Sequence, residues 1–124
     1  SEVTLQEGQH NLYQDGKIVF KYAVSEMTSA VEQIIERNEI DLEKISYLVP
    51  HQANKRIIDA IAKRIGLPEQ KVMSNIEYFG NTTAATLPLL LKDYESKLIP
   101  GDRLVFAAFG GGFTWGAAYL TWAY

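Results

Sequence analysis

The amino-acid sequence predicts a single α/β domain, with a mixed, mainly parallel sheet and helices packed on it. Segments with helical spacing alternate with short apolar runs of strand length, which is typical of parallel sheets joined by helices. The last two strand-like runs, 103–109 and 115–122, are separated by a short glycine-containing stretch, so we expect them to pair as a hairpin. A length of 124 residues allows one domain and is too short for two.

The composition indicates a soluble, folded protein. Hydrophobic residues make up 47% of the chain and charged residues 22%, which are ordinary globular proportions. The net charge is −3, from 12 Lys and Arg against 15 Asp and Glu, so neither a broad nucleic-acid-binding face nor a polybasic membrane anchor is expected. No apolar run approaches the ~20 residues that span a bilayer, and the first nine residues lack the order of a signal peptide. We expect a cytoplasmic location.

Cysteine and histidine counts exclude several kinds of site. The sequence contains no cysteine, which excludes disulfides, thiolate zinc sites and a cysteine nucleophile within these 124 residues. Its two histidines cannot form a three-histidine metal site, and no His-Glu-x-x-His motif or paired acidic cluster is present. Metal catalysis is therefore not expected.

The first predicted elements are a short strand and a long helix. The strand is predicted over 10–13 and is ended by the turn pair Asp15-Gly16. The helix runs from 17 to about 38, because apolar residues recur there at helical spacing. These residues are Phe20, Ala23, Met27, Val31 and Ile34.

A second strand and helix follow directly. The mostly apolar run 45–49 has strand length and stops at Pro50, so His51 is expected at the carboxyl end of a strand. The next helix is predicted from about 53 to 65, with Gly66 as its C-terminal stop. One face of it carries Ile57, Ile58, Ile61, Ala62 and Ile65.

A third helix is predicted in the second half of the chain, after a candidate short strand at 71–73. Asn81, Thr82 or Thr83 can cap it. Pro88 removes a backbone donor, so we expect a kink or a late helix start. The apolar positions of this helix are Ala84, Leu87, Leu91, Tyr94 and Leu98.

His51 and Asn81 are the candidate catalytic residues. His51 is expected where a strand ends, which is where ligands collect in open α/β sheets, and Asn81 lies in a tight turn into a helix. A neutral imidazole and a carboxamide can each donate a hydrogen bond to a developing enolate without supplying a full charge. The pair would suit carbanion chemistry on a thioester. On local evidence alone, a packing role for His51 and a helix-capping role for Asn81 are the commoner interpretations.

Two further features have both a functional and a structural interpretation. The triplet Gly110-Gly111-Gly112 permits close approach of backbone N–H groups to a ligand, or it forms a plain flexible hairpin turn. The helix after His51 carries several basic residues. They form either a docking site for an acidic carrier or phosphorylated cofactor, or a face of the helix that is exposed to solvent. They are Lys55, Arg56, Lys63 and Arg64, and Asp59 is placed to pair with Lys55 and Lys63.

Three ordered strings resemble one known family. They are PHQANKR at 50–56, GNTTAA at 80–85 and AFGGGFTWG at 108–116, with a weaker similarity in DGKIVFK at 15–21. Together they resemble β-ketoacyl-acyl-carrier-protein synthase III, a thiolase-fold condensing enzyme of fatty-acid biosynthesis. The resemblance implies one thiolase-like half. It also implies a Cys-His-Asn enzyme that accepts an acyl group from acyl-CoA and condenses it with malonyl-acyl-carrier protein, without a tightly bound cofactor.

The resemblance also implies a role for individual residues. His51 and Asn81 match the two donors to the malonyl thioester oxygen, and Gly111 matches a glycine of the oxyanion hole. Phe109 matches an aromatic residue of the substrate pocket, and Asn54 matches a residue near the pantetheine arm. The segment that matches the acyl-carrier-protein docking region consists of Gln52, Ala53, Asn54, Lys55 and Arg56, of which Arg56 is the expected charge contact.

The chain departs from the family in having no cysteine. We therefore interpret residues 1–124 as the carboxyl-terminal catalytic half-domain, with the cysteine-bearing amino-terminal half absent and the chain inactive alone. The expected partners are that half, acyl carrier protein and a second copy in a homodimer of the full enzyme. A folded half would expose the apolar face that meets its sister half, so self-association or poor stability is expected. A secondary-metabolite condensing enzyme and a non-catalytic carrier-binding domain are the alternatives.

Overall fold

A computed structural model describes residues 3, 6, 7 and 15–124 of the chain. The strand predicted over 10–13 lies outside the described residues. The first long helix, α1, spans Gly16–Arg37, close to the predicted 17–38. It begins there because the Asp15 carboxylate accepts hydrogen bonds from the backbone N–H groups of Lys17 and Ile18, at 3.0 and 3.1 Å.

The sheet has both parallel and antiparallel pairs, as predicted. Strands β1 (Tyr47–Pro50), β2 (Arg103–Gly110) and β3 (Thr114–Thr121) lie in the order β1-β2-β3. β1 and β2 are parallel, whereas β2 and β3 form the expected antiparallel hairpin. The predicted strand at 71–73 is reduced to a single parallel bridge between Leu48 and Val72, because a 3₁₀ turn occupies Glu69–Lys71.

Helix α2 spans Lys55–Ile65, directly after β1. It starts two residues later than predicted because the Asn54 side chain is its cap and accepts the Ile57 N–H at 3.0 Å. It ends at Gly66, whose φ of 84° lies in the left-handed region that favours glycine. The predicted apolar face is buried at Ile57, Ile58, Ile61 and Ala62.

The segment before β2 contains two helices. A four-residue helix, α3 (Ile76–Phe79), was not predicted, since one turn is too short to show a period. Helix α4 spans Thr86–Tyr94 and follows a 3₁₀ turn at Thr83–Ala85. The late start expected from Pro88 is confirmed, because this proline is the third residue of α4, where its missing N–H breaks no helical hydrogen bond.

Helices cover both faces of the sheet. α1 and α2 pack on one face in a core that includes Met27, Val31, Leu48, Ile58, Ile61 and Val105. On the other face, Leu90 of α4 packs with Val49, Met73, Leu98 and Leu104. Neighbouring residues of β1 and β2 thus enter opposite cores, as expected of strands buried on both faces. Among the described residues, no helix has the length and apolar character needed to cross a membrane.

Candidate active site at the carboxyl edge of the sheet

The parallel strands β1 and β2 bring the candidate residues to one edge of the sheet. β1 ends at Pro50, and the backbone N–H of the next residue, His51, donates a 2.7 Å hydrogen bond to the carbonyl of Ala107 in β2. β2 continues to Gly110, so Phe109 and Gly111 lie just beyond this contact. The carboxyl ends of parallel strands meet at the same edge, and the site forms there.

The His51 side chain is half-buried and held on one side. Its Nδ1 atom lies 2.8 Å from the hydroxyl oxygen of Thr86, the first residue of α4. Burial lowers the pKa of His51 below its ordinary value of 6.5. The ring is therefore neutral at pH 7, as a hydrogen-bond donor to an enolate must be if it adds no full charge.

Asn81 lies in the loop that leads to Thr86. It follows Gly80, whose φ of 64° favours glycine, and it is exposed. Its side-chain oxygen accepts the Thr83 N–H at 2.9 Å, so the amide group closes a local turn and does not cap α4, which begins at Thr86. This hydrogen bond uses the carbonyl oxygen, and the NH₂ group makes no hydrogen bond to the residues that the structure describes, so it can act as a donor.

Gln52, which belongs to the predicted docking segment, has a fully buried side chain. Its Oε1 accepts the backbone N–H groups of Asn75 and Ile76 at 3.0 and 3.1 Å. Its amide nitrogen donates to the Pro50 carbonyl at 2.8 Å. The side chain therefore ties the loop after β1 to the start of α3.

Phe109 and the glycine turn form the other side of the site. Phe109 is partly buried, with its ring centroid 5.0 Å from that of Phe113. Gly111 is exposed in the turn between β2 and β3. At Gly112, φ is 141° and an added Cβ would lie 2.9 Å from the Thr114 side chain. Glycine is therefore required at this position for local steric reasons, independent of any ligand.

A cleft of about 790 Å³ opens between the first turns of α1 and α2. Asn54, Lys55 and Arg56 line it from the α2 side, so three of the predicted docking residues face one cavity. The α1 side of this cleft, which was not predicted, is formed by Lys17 and Phe20 with Asp15 and Gly16. The Arg56 guanidinium lies 5.4 Å from the centroid of the Phe20 ring, a cation–π contact that holds the arginine in place.

Lys55 and Arg56 differ in how their charges are used. Lys55 donates to the Asp59 carboxylate at 2.6 Å and lies 3.9 Å from Glu69, and the hydrogen bond to Asp59 raises its pKa. The predicted Lys55–Asp59 pair is confirmed, whereas no Lys63–Asp59 pair forms among the described residues. Because its charge is locally balanced, Lys55 contributes less to an anion site than Arg56 does.

Metal ligands do not gather in the described part of the chain, where no group of three His, Asp or Glu side chains could hold an ion.

The functional contact that sequence reasoning missed is the one between His51 and Thr86. These residues are 35 positions apart, so no local spacing could have indicated it. The described site is built from hydrogen-bond donors and a basic cleft.

The family model described as 3-oxoacyl-[acyl-carrier-protein (ACP)] synthase III C terminal matches residues 35–122. Among curated proteins, the chain is 52% identical over 124 residues to β-ketoacyl-[acyl-carrier-protein] synthase III 1 of Bacteroides thetaiotaomicron, covering all of this chain and 37% of that protein. It is also 52% identical over 121 residues to the synthase III of Porphyromonas gingivalis, covering 98% of this chain and 36% of the relative. The chain thus spans little more than a third of these relatives.

Solved structures agree with the predicted fold. The 3-oxoacyl-(acyl carrier protein) synthase III of Pseudomonas aeruginosa superposes with a TM-score of 0.87 at 40% identity, over 90% of this chain and 36% of that one. The synthase III of Thermus thermophilus superposes with a TM-score of 0.87 at 44% identity, over 91% of this chain and 36% of that one. The predicted thiolase-like α/β fold is confirmed. The chain belongs to the family formed by the carboxyl-terminal domain of 3-oxoacyl-[acyl-carrier-protein] synthase III.

Proposed function

We propose that this chain is the carboxyl-terminal catalytic half of a β-ketoacyl-acyl-carrier-protein synthase III, an acyltransferase that starts fatty-acid biosynthesis. In this proposal His51 and Asn81 donate hydrogen bonds to the thioester oxygen of malonyl-acyl-carrier protein. The observation that carries the proposal is the half-buried imidazole of His51 at the edge of the sheet, with its Nδ1 hydrogen-bonded to Thr86 and its backbone N–H to the carbonyl of Ala107. Asn81 lies five residues before Thr86 in the same segment.

The chemistry follows from where charge develops. The bond between the malonyl carboxylate and the α-carbon breaks, CO₂ leaves, and the electron pair passes into an enolate whose oxygen carries the charge. Two neutral donors stabilise that oxygen. The enolate carbon then attacks the carbonyl carbon of an acyl-cysteine and forms the new carbon–carbon bond, which gives a tetrahedral intermediate. Its oxyanion re-forms the carbonyl as the carbon–sulfur bond breaks and the cysteine thiolate leaves.

The remaining site residues take supporting roles in this mechanism. The N–H of Gly111 contributes to the oxyanion hole that stabilises the tetrahedral intermediate. Phe109 lines the pocket for the acyl and malonyl groups beside His51, an arrangement supported by its partly buried ring at the end of β2. Gln52 positions His51 from the buried side of the loop.

The basic cleft between α1 and α2 fits the phosphorylated end of the substrates. Acyl-CoA and malonyl-acyl-carrier protein both carry a pantetheine arm joined to phosphate. We assign Asn54 to the approach of that arm, and Ala53, Lys55 and Arg56 to the docking of the carrier protein. Arg56 supplies the main charge contact, because it is exposed, stacked on Phe20 and not neutralised by Asp59 as Lys55 is. No tightly bound cofactor is required.

The nucleophile must come from outside these 124 residues, since they contain no cysteine. We assign it to an amino-terminal half, with which this chain would form one subunit of a homodimeric cytoplasmic enzyme. The chain alone is then inactive. Its coverage of 36–37% of its curated relatives supports this division.

The test is an activity assay of this chain alone and mixed with a separately produced cysteine-bearing half. Malonyl-carrier decarboxylation and acetyl-CoA-dependent condensation should appear only in the mixture. A mixture that forms a stable complex without either activity would contradict the catalytic proposal and favour a non-catalytic carrier-binding domain.

A second candidate function is the priming step of secondary-metabolite synthesis. A priming β-ketosynthase from a polyketide biosynthetic pathway superposes with a TM-score of 0.81 at 32% identity, over 90% of this chain and 34% of that protein. The same mixture, assayed with a series of acyl-CoA primers, distinguishes the two, because selectivity for acetyl-CoA favours the fatty-acid function.

A further inference from the structure

We propose that Thr86 is a positioning residue that fixes the tautomer and orientation of the His51 ring, so that its Nε2–H points at the thioester oxygen. The inference rests on the proposed function of His51. It starts from a single contact, the 2.8 Å separation between Thr86 Oγ1 and His51 Nδ1.

The direction of this hydrogen bond follows from the surroundings of Thr86. The residue is 2% exposed, so its hydroxyl hydrogen needs a protein acceptor. Its Oγ1 makes no hydrogen bond to a carbonyl of the preceding turn within the described residues, where Thr83 accepts the Thr86 N–H and Thr82 accepts the Ala85 N–H at 3.1 Å. Within the described part of the chain, the His51 Nδ1 is the one partner that this hydroxyl has.

A hydroxyl that donates to Nδ1 requires the lone pair on that nitrogen. The neutral ring then carries its proton on Nε2, because the tautomer is set by the hydrogen bond at the other nitrogen. The opposite arrangement, with Nδ1–H donating to Thr86, would leave a buried hydroxyl hydrogen without an acceptor and is disfavoured. Nε2 makes no hydrogen bond within the described residues, so its N–H is free for a substrate oxygen.

The second consequence is geometric. His51 is fixed through its backbone to Ala107 and through its ring to Thr86, which lie in β2 and α4. Rotation of the ring about its side-chain bonds would break the hydrogen bond to Thr86. Because Asn81 precedes Thr86 on the same segment, this bond also links the two proposed donors to one another.

The test compares Thr86→Val, which has nearly the same shape, with Thr86→Ser, which keeps the hydroxyl. The measurement is imidazole ¹⁵N NMR of the labelled chain, at a pH above the range in which His51 titrates. The chemical shifts of the two ring nitrogens show which of them carries the proton and whether the other accepts a hydrogen bond. A His10→Gln variant assigns the signals, because the sequence has only two histidines. We expect a protonated Nε2 and a hydrogen-bonded Nδ1 in the unaltered protein and in Thr86→Ser. In Thr86→Val, the Nδ1 signal should move to the value of a nitrogen that accepts no hydrogen bond.

The control is Thr121→Val, at an exposed position at the end of β3, which should leave the His51 signals unchanged. In the enzyme assembled with a cysteine-bearing half, Thr86→Val should lower malonyl decarboxylation about tenfold, and Thr86→Ser should restore most of it.

A proton on Nδ1 in the unaltered protein, or an unmoved Nδ1 signal in Thr86→Val, would overturn the proposal. A moved signal with full decarboxylation would overturn the role of Thr86 in the reaction. An assembled enzyme that never decarboxylates contradicts the function proposed for His51, and the NMR comparison still decides whether Thr86 fixes the ring.

Discussion

The backbone N–H of His51 and the carbonyl of Ala107 are joined by a 2.7 Å hydrogen bond that extends the β1–β2 pairing one residue past the end of β1. The position of His51 is therefore set by the register of a parallel sheet and not by a flexible loop. The turn at Gly111 and Gly112 directly follows β2, so the same strand register sets its position. Two elements of the proposed site are thus fixed relative to each other by backbone geometry.

The two proposed donors should act together. In the assembled enzyme, His51→Ala and Asn81→Ala should each lower malonyl decarboxylation about 10²–10³-fold, since each removes one donor to the same oxygen. The double variant should lose less than the product of the two effects, because the second donor works poorly once the first is gone. Single-turnover release of CO₂ measures all three. Strictly multiplicative losses would show that the residues act independently.

The buried imidazole predicts a pH dependence of stability. Burial lowers the pKa of His51 in the folded state below 6.5, so the unfolded chain binds more protons as the pH falls through that range. The free energy of unfolding should therefore decrease from pH 7.5 to pH 5.5. In this range His51 gains a proton readily in the unfolded chain, whereas in the folded chain that proton would place a charge in a half-buried site. Urea denaturation at several pH values measures this decrease.

His51→Gln serves as the control for this dependence. It removes the titrating ring and leaves His10 and the carboxylates unchanged, so the difference between the two pH profiles isolates His51. Parallel profiles would contradict the lowered pKa.

Arg56 should contribute to carrier binding through its charge. Arg56→Ala should weaken binding of malonyl-acyl-carrier protein about tenfold, because a charge-assisted hydrogen bond to phosphate or carboxylate is lost. Titration calorimetry with the assembled enzyme measures the change, which should shrink at high salt. The matched control is Arg37→Ala, at the opposite end of α1 and about 30 Å from the cleft by the rise of that helix. Equal effects of both variants would remove Arg56 from the docking site.

Gln52 should be needed for folding more than for docking. Gln52→Leu leaves the N–H groups of Asn75 and Ile76 and the Pro50 carbonyl without their partner in a buried region. The expected loss is about 2–4 kcal/mol of unfolding free energy, measured by urea denaturation. Gln70→Leu, at an exposed position, should change stability by less than about 0.5 kcal/mol. A stable Gln52→Leu protein with impaired carrier binding would restore the docking interpretation.

The sequence predicted the long periodic elements well and the tertiary contacts poorly. α1 was placed within one residue at each end, since its apolar spacing runs over several turns. α3 was missed because four residues cannot show a helical period. The strand predicted at 71–73 survives only as the bridge to Leu48, since Lys71 belongs to the preceding 3₁₀ turn. Three residues contain too little pattern to predict that turn.

The site was predicted unevenly for similar reasons. His51 could be placed at a strand end because Pro50 stops an apolar run, and the structure confirms that position. Polar residues are mostly exposed, so the complete burial of Gln52 could not be expected from its type. The Arg56–Phe20 contact joins α2 to α1, and it required knowledge of how the helices pack.

The hairpin at the end of the chain has a practical consequence for preparing this protein. In the part of the chain that the structure describes, β3 pairs on one side only, with β2, over eight residues. Its other side has no strand partner among residues 15–124, and Trp115 and Leu120 are exposed. Such an edge is a template for another strand. Concentrated solutions of these 124 residues alone should therefore be prone to edge-to-edge aggregation, and Leu120→Lys should delay its onset.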